Sequence, residues 1–340
     1  MNTYLLRDEN AVYYECGFSC DNEIFLKSGE GAWFITDPRY TLEARDAVRD
    51  AEVVEAHDLI AALRSILRRH RIRKVWYDPT EWSIHDFRKL SEKSHAYFAP
   101  KERLSQHKRI VKSDAEVALL KEAVRIGAEA FDRVAAFLRE RGEGLDERRL
   151  FFEASAILQQ EGRYALSFEP ILALGANAAK PHAHPTDTLL RRGDLLLFDA
   201  GVKVERYCSD RTRTAEFGPS FTFDKAQRFS DATRQKVYDT VLKAQEAAIR
   251  AVRPGRLACE IDRAARAVIE EAGYGDAFVH STGHGVGLDI HELPVISQKS
   301  RTRIEEGMVF TIEPGIYLEG RFGVRIEDMV CVRSDGAEVL

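Results

Sequence analysis

At 340 residues, with 44% hydrophobic and 31% charged residues, the chain has the composition of a soluble globular protein and the length for two domains. Its 50 basic against 55 acidic residues leave a net charge of -5, which gives no electrostatic reason to expect nucleic acid or an anionic membrane as partner. Five cysteines, odd in number and scattered, fit reduced thiols better than a disulfide framework.

In chain order, the opening MNTYLLRDEN puts Arg7, Asp8 and Glu9 where a secretion signal needs its apolar core. No stretch approaches the roughly 20 apolar residues of a membrane span, so a cytoplasmic protein is expected. Cys16 and Cys20 stand four apart, but no second pair completes a zinc set. EIFLKSG, GAWFITDP, AEVVEA and KVWYDP read as strands, alternating with helical stretches from Tyr40 and from about Asp58. These make a small α/β domain over residues 1–108, in which the basic run Arg68 to Lys74 is a solvated helix end.

A second domain is expected over residues 109–340. After the charged connector KERLSQHKRIVKS, Ser113 and Glu116 form a capping box opening a long helix with the apolar stripe Val117, Leu120, Val124, Phe131, Val134 and Leu138. A helix from about Asp146 is expected to stop at Gly162. Short strands follow in FEPILALG, DLLLFDAGV and CSDRTRTAEFG, then helices over 224–252 and 259–272 separated by Pro254-Gly255. RIEDMVCV and a Ser334-Asp335-Gly336 turn close an α+β pattern.

Five residues with metal-ligand chemistry stand in apolar frames in this second half: Asp199 in LLLFDAG, Asp210 in YCSDRTRT, His284 in STGHGVG, Glu313 in VFTIEPGIY and Glu327 in GVRIEDMV. A carboxylate in a core strand loses its hydration unless a cation or donor compensates it. Four carboxylates and one imidazole are a hard, oxygen-rich set that suits a pair of divalent cations, which points to a two-metal hydrolase. Asp199 and Asp210, eleven apart, fit two short strands joined by a turn with both carboxylates on one side. Glu313 and Glu327, fourteen apart, fit a second strand pair with Gly320 and Gly323 for its turn. Gly283 and Gly285 around His284 would let the backbone approach a bound group. His291 follows seven residues after His284, His280 precedes it by four, and His182 and His184 lie in KPHAHPTD, so imidazoles outnumber the ligands needed.

In these frames and in this order the five residues resemble the pita-bread metallopeptidases, in particular the prolidase (Xaa-Pro dipeptidase) and aminopeptidase P branch. The resemblance covers about Ser113 to Leu340 and extends weakly upstream, where ITDPRYTLEA is similar to a segment of the N-terminal domain of this branch. It implies a creatinase-like catalytic domain of α+β class preceded by a smaller α/β N-terminal domain. It also implies a dinuclear centre in which Asp199 binds one metal, Asp210 and Glu327 bridge, and His284 and Glu313 complete the other. Glu313 then matches the general base and His291 the histidine that steadies the tetrahedral intermediate. His182 matches the one near the substrate amide, His280 one lining the proline-side pocket, and Arg325 an arginine that pairs with the acidic site. The metals implied are two divalent ions, manganese first by ligand hardness, with cobalt or zinc able to substitute. The substrate implied is a proline-containing di- or oligopeptide, and the assembly a homodimer. Arg206 and Arg211 depart from the family pattern around the second aspartate; placed at the site mouth, they would favour short substrates with a nearby carboxylate. The rival readings are a methionine aminopeptidase-like enzyme, a metal-free creatinase-type hydrolase, and an inactive binding or chaperone-type protein of the same fold.

Overall fold

The computed structural model describes residues 3–340, and the chain divides into two compact units, residues 1–109 and 110–340. The first is built on β1 (Tyr4–Leu6), β2 (Glu23–Ser28), β3 (Gly31–Thr36), β4 (Glu52–Glu55), β5 (Lys74–Tyr77) and β6 (Tyr97–Pro100), joined in one sheet of order β4-β3-β2-β1-β5-β6. Helices α1 (Glu9–Cys16), α2 (Thr41–Ala47), α3 (Leu59–Arg69), α4 (Ile84–Glu92) and α5 (Leu104–Arg109) complete it. Local sequence explains α3 well. Asp58 caps it by accepting from Ala61 N at 2.9 Å, Leu59, Leu63, Ile66 and Leu67 form its buried stripe, and Arg68 and Arg69 complement the dipole at its C-terminus. The segments β1, α1, α4 and β6 carry weaker periodicity and were not apparent from sequence.

The second unit opens with α6 (Asp114–Phe137), whose capping box between Ser113 and Glu116 is present, and α7 (Glu147–Gln159). α7 ends at Gln160, itself in a left-handed conformation with φ 46°, two residues before the glycine expected to stop it. Strands β7 (Ala165–Leu166), β8 (Ile171–Leu174), β9 (Leu195–Ala200), β10 (Val202–Val204), β11 (Tyr207–Cys208) and β12 (Arg211–Glu216) follow. Helix α8 spans Ala232–Ala251 rather than 224–252, because residues 224–231 are irregular and Asp231 supplies the cap through Arg234 N at 2.8 Å. Helix α9 (Ala258–Glu271) is followed by β13 (Gly283–Gly285), β14 (Glu292–Ile296), β15 (Val309–Ile312), β16 (Gly315–Leu318), β17 (Phe322–Arg325), β18 (Asp328–Arg333) and β19 (Gly336–Val339). The last two pair across Ser334-Asp335, with Arg333 opposite Gly336. All five cysteines are buried and free.

The period-2 alternation of strands decides what faces the site. In β9, Leu196 and Phe198 pack with α6 and α7, whereas Leu195 and Leu197 join the core that contains α8 and α9, and Asp199 shares their face. In β15 and β18, Phe310, Ile312, Val330 and Val332 join that same core, which leaves Thr311, Glu313 and Glu327 on the opposite face. Both core clusters are almost wholly aliphatic and aromatic; β9 is held in register by a buried face in each and turns polar only near its end, at Asp199.

A candidate metal centre

The two carboxylate pairs are built alike. β9 and β12 are antiparallel with Thr212 opposite Asp199, and β15 and β18 are antiparallel with Ile312 opposite Asp328. Each pair is interrupted where the acids stand: β10 and β11 form a hairpin between Asp199 and Asp210, and β16 and β17 form one between Glu313 and Glu327. The acids therefore sit at strand ends beside inserted hairpins, not across the simple turns expected from their spacing. The first hairpin turns through Glu205 and Arg206, both at positive φ (46° and 70°), without the Asn or Gly that announces such a turn. In the second, Gly320 supplies the left-handed residue (φ 68°), whereas Gly323 lies inside β17.

These strand ends meet at the floor of a cavity of about 510 Å³, in the range of small-ligand sites. Asp199, Asp210, His284, Glu313 and Glu327 all line it, as do His182, His184, His280, His291 and Arg325. Ligand-type atoms of Asp210, His284 and Glu327 lie within 4.8 Å of one another, and His284 Nε2 stands 3.5 Å from Asp210 Oδ2 and 3.3 Å from Glu313 Oε1. Asp199 is engaged on one oxygen by Arg325 Nη2 at 2.6 Å. His291 stacks edge-on to His284 with centroids 4.3 Å apart. The other five histidines, His57, His70, His85, His95 and His107, belong to residues 1–109 and do not line the cavity.

Neither Arg206 nor Arg211 is among the residues that line it. Arg206 stands in the hairpin turn at positive φ. Strand alternation turns Arg211 to the face opposite Asp210 and Thr212, where its guanidinium lies 5.3 Å from the Phe131 ring centroid and burial lowers its pKa to about 10. The glycines flanking His284 also serve a different end from the one expected. A Cβ at Gly283 would stand 1.9 Å from the Thr311 carbonyl oxygen and one at Gly285 2.2 Å from that of Leu293, so they let β13 lie tightly between its neighbours.

Electrostatics single out the cluster. Burial, reinforced by the charges of Glu327, Asp199 and Glu313, pushes Asp210 well above the ordinary carboxylate range. Burial, then Glu313 and Asp199, does the same to Glu327, and burial raises Glu313 against the opposing pull of His280 and Arg325. Burial lowers His284, His280 and His291, which keeps their rings neutral. His284 Nδ1 lies 3.1 Å from the Gly285 carbonyl, so the N–H donates there and the Nε2 lone pair faces the acids. A lone pair aimed at carboxylates is repulsive unless a cation lies between them, and a backbone acceptor on the far nitrogen is how ligating histidines are oriented. Asp199 Oδ1, Asp210 Oδ1 and Glu327 Oε1 are buried without a hydrogen-bond partner. Hard oxygens left orphaned around a neutral imidazole fit divalent cations, and this donor chemistry is the test that the site passes.

A second layer was invisible in sequence because its partners are remote. Thr212 Oγ1 donates to Glu327 Oε2 at 2.5 Å and accepts from Arg325 Nε at 3.0 Å. Tyr317 Oη accepts from Arg325 Nη1 at 2.7 Å and lies 2.8 Å from His280 Nε2. The buried Glu147 carboxylate accepts from Leu174 N, Asn177 Nδ2, Thr186 N and Thr186 Oγ1, which ties down the loop carrying His182 and His184. Glu169 lines the cavity with its carboxylate exposed.

The sequence profile of metallopeptidase family M24 matches residues 118–334, and that of the creatinase/prolidase N-terminal domain matches residues 1–112. The chain belongs to metallopeptidase family M24. Members of this family are hydrolases, and the M24 unit here has the pita-bread architecture behind a creatinase-like N-terminal domain. The chain is similar to the Xaa-Pro dipeptidase of Pyrococcus furiosus, at 40% identity over 232 residues; the match covers 68% of this chain and 63% of that protein, less than two thirds of its length. Among solved structures it resembles an Xaa-Pro dipeptidase from Bacillus anthracis (TM-score 0.91, 33% identity, 99% of this chain and 92% of the other). It also resembles an X-Pro aminopeptidase from Thermotoga maritima (TM-score 0.87, 32% identity, 100% and 95%). Among the described residues no helix is long and apolar enough to cross a membrane.

Proposed function

We propose that the protein hydrolyses the peptide bond before proline in short peptides, using two divalent cations held by Asp199, Asp210, His284, Glu313 and Glu327. The observation that carries this reading is the set of buried carboxylate oxygens without partners around the neutral His284 ring at the cavity floor. Two relatives whose names specify Xaa-Pro dipeptides, and one named for X-Pro aminopeptidase activity, support the substrate class. The matched N-terminal domain speaks against a methionine aminopeptidase-like enzyme, and the complete ligand set speaks against both a metal-free hydrolase and an inactive binding protein.

When bound, the two cations would supply a water acidified toward neutrality as nucleophile and a Lewis acid for the scissile carbonyl. Glu313, its pKa raised by burial, accepts the proton of the attacking water and returns it to the leaving proline nitrogen. His291, beside His284 and facing the cavity, steadies the developing oxyanion. His182 stands by the substrate amide, His280 backed by Tyr317 walls the proline side, and Arg325 holds Asp199 in place. The bond cleaved is a tertiary amide without an N–H, which peptidases that read that hydrogen bond do not hold well. Hard oxygen ligands favour manganese, with cobalt or zinc as substitutes. The buried free thiols support a cytoplasmic location, and a closed two-fold dimer is the assembly we expect.

The test is a panel of Xaa-Pro dipeptides and Xaa-Pro-Xaa tripeptides with Mn(II), beside Xaa-Ala controls. Preference for Ala-Pro over Ala-Ala supports the reading, and equal kcat/KM for the two refutes it. With neither arginine lining the cavity, the relative rates on dipeptides and tripeptides decide between prolidase and aminopeptidase P.

A further inference from the structure

Helix α9 lies outside the cavity lining, yet it makes the densest polar contact with the segment that carries His280. Asp262 and Arg266 stand four apart on one face of this helix and pair bidentately across one guanidinium edge, Nε to Oδ2 at 3.0 Å and Nη2 to Oδ1 at 3.1 Å. Asp262 is fully buried. The remaining donors of Arg266 reach the chain opposite: Nη1 to the Phe278 carbonyl at 3.1 Å and Nη2 to the His280 carbonyl at 3.0 Å, with the guanidinium 4.1 Å from the Phe278 ring centroid. Phe278 in turn meets the His280 ring edge-on at 5.2 Å. Asp262 accepts from Thr282 Oγ1 at 2.9 Å and from Thr282 N at 3.3 Å, and the Thr282 carbonyl accepts from Glu313 N at 2.8 Å.

We propose that the Asp262–Arg266 pair is a positioning device for the proline-side wall, fixing His280 through its own carbonyl and through Phe278, and registering that wall against Glu313 through Thr282. This inference rests on the proposed peptidase reading for its kinetic consequence but not for its geometry. A buried ion pair is weak evidence of stabilisation, since hydrophobic replacements of similar shape often do as well. A planar fork that bonds a carboxylate and two carbonyls at once, by contrast, specifies a backbone path that a point charge does not reproduce.

Arg266→Lys keeps the charge and removes the fork, and Asp262→Asn keeps the shape and weakens the pair. Arg234→Lys, at an arginine whose hydrogen bonds go to Gly193 and Glu216 and not to Phe278, His280 or Thr282, controls for general loosening. Two readouts apply to the metal-loaded full chain. The first is the carbethoxylation rate of His280 relative to the exposed His182, resolved by peptide mass mapping. The second is KM against kcat for Ala-Pro. In both loop variants His280 labelling rises several-fold relative to His182, and KM rises by about tenfold or more with kcat changed less, the scale typical of partners that orient a site residue. Arg234→Lys changes neither. Unchanged His280 labelling in both variants overturns the inference, as does an equal change in the control. If the wild type cleaves no Xaa-Pro peptide, the peptidase reading fails while the labelling still decides on the clamp.

Discussion

Glu147, Asp262 and Asp328 are as deeply buried as Asp210 and Glu327, yet the two groups live under opposite conditions. Glu147 gathers backbone and side-chain donors from three residues, Asp262 is held by Arg266 and Thr282, and Asp328 by Arg213, Lys225 and Gln245. Arg213 and Lys225 hold the Asp328 carboxyl below its ordinary range although burial works against them. One residue earlier, Glu327 is pushed far the other way. Strand alternation makes the difference, sending Asp328 toward Gln245 on α8 and Glu327 toward the cavity. Donors surround the buried charge at Glu147, Asp262 and Asp328, whereas Asp210 and Glu327 are left among other acids, and that contrast marks the site more sharply than burial alone.

The contrast can be broken from the uncompensated side first. Replacing Asp210 by Asn removes one of the crowded charges, so metal content measured by elemental analysis falls below two equivalents and turnover drops to background. Two equivalents with full activity would remove Asp210 from the centre. Next in size, His291→Ala keeps the metals and lowers kcat by about 10²- to 10³-fold, with a smaller change in KM, because the lost contact is made to developing charge. Metal lost in this variant would exchange the roles of His291 and His284. On the compensated side, Glu147→Ala leaves buried donors unmet and lowers unfolding free energy in urea by roughly 1–3 kcal/mol, with metal content unchanged. An unchanged midpoint would show that those donors find other acceptors.

The smallest effect is one of pH. In chelator-treated protein the folded pKa values of Asp210 and Glu327 lie above the ordinary carboxylate range, so the native state keeps protons that the unfolded chain has released. Their contribution to stability is fully present below about pH 4, the unfolded value, and is lost as pH rises through the raised folded values. The melting temperature of the metal-free protein therefore rises as pH is lowered from about 8 to about 5. Metal ions compete with these protons, so the gain from adding Mn(II) grows with pH. A gap that shrinks with pH would mean that the carboxylates bind no metal.

How much of this was legible in the sequence depended on how far apart the partners were. The capping box of Ser113 and Glu116 is local and stands where the sequence put it, and the helix expected from about Asp58 begins at Leu59. The five ligand-type residues could be picked out because a charged residue in an apolar frame is anomalous at its own position, and the structure brings all five to one cavity. Their turn geometry could not, since Glu205 and Arg206 adopt positive φ with no residue signal. Arg211 was misplaced because its neighbour Asp210 suggested a shared location, whereas adjacent strand residues face opposite ways. Thr212, Tyr317, Glu147 and the Asp262–Arg266 pair are ordinary in sequence and become informative only through partners brought near by folding.

The bond from Thr212 to Glu327 spans 115 residues and that from Arg325 to Asp199 spans 126. Contacts of that span are slow to close, and helices α6 to α9 all lie before the second pair of acids. A site made of both acid pairs is thus complete only after the β9–β12 and β15–β18 strand pairs have come together, and ions bound there would stabilise only the finished state by mass action. A chain clipped before Glu313 carries the helical shell and the first two aspartates but no closed centre, so metal occupancy doubles as a readout of complete folding.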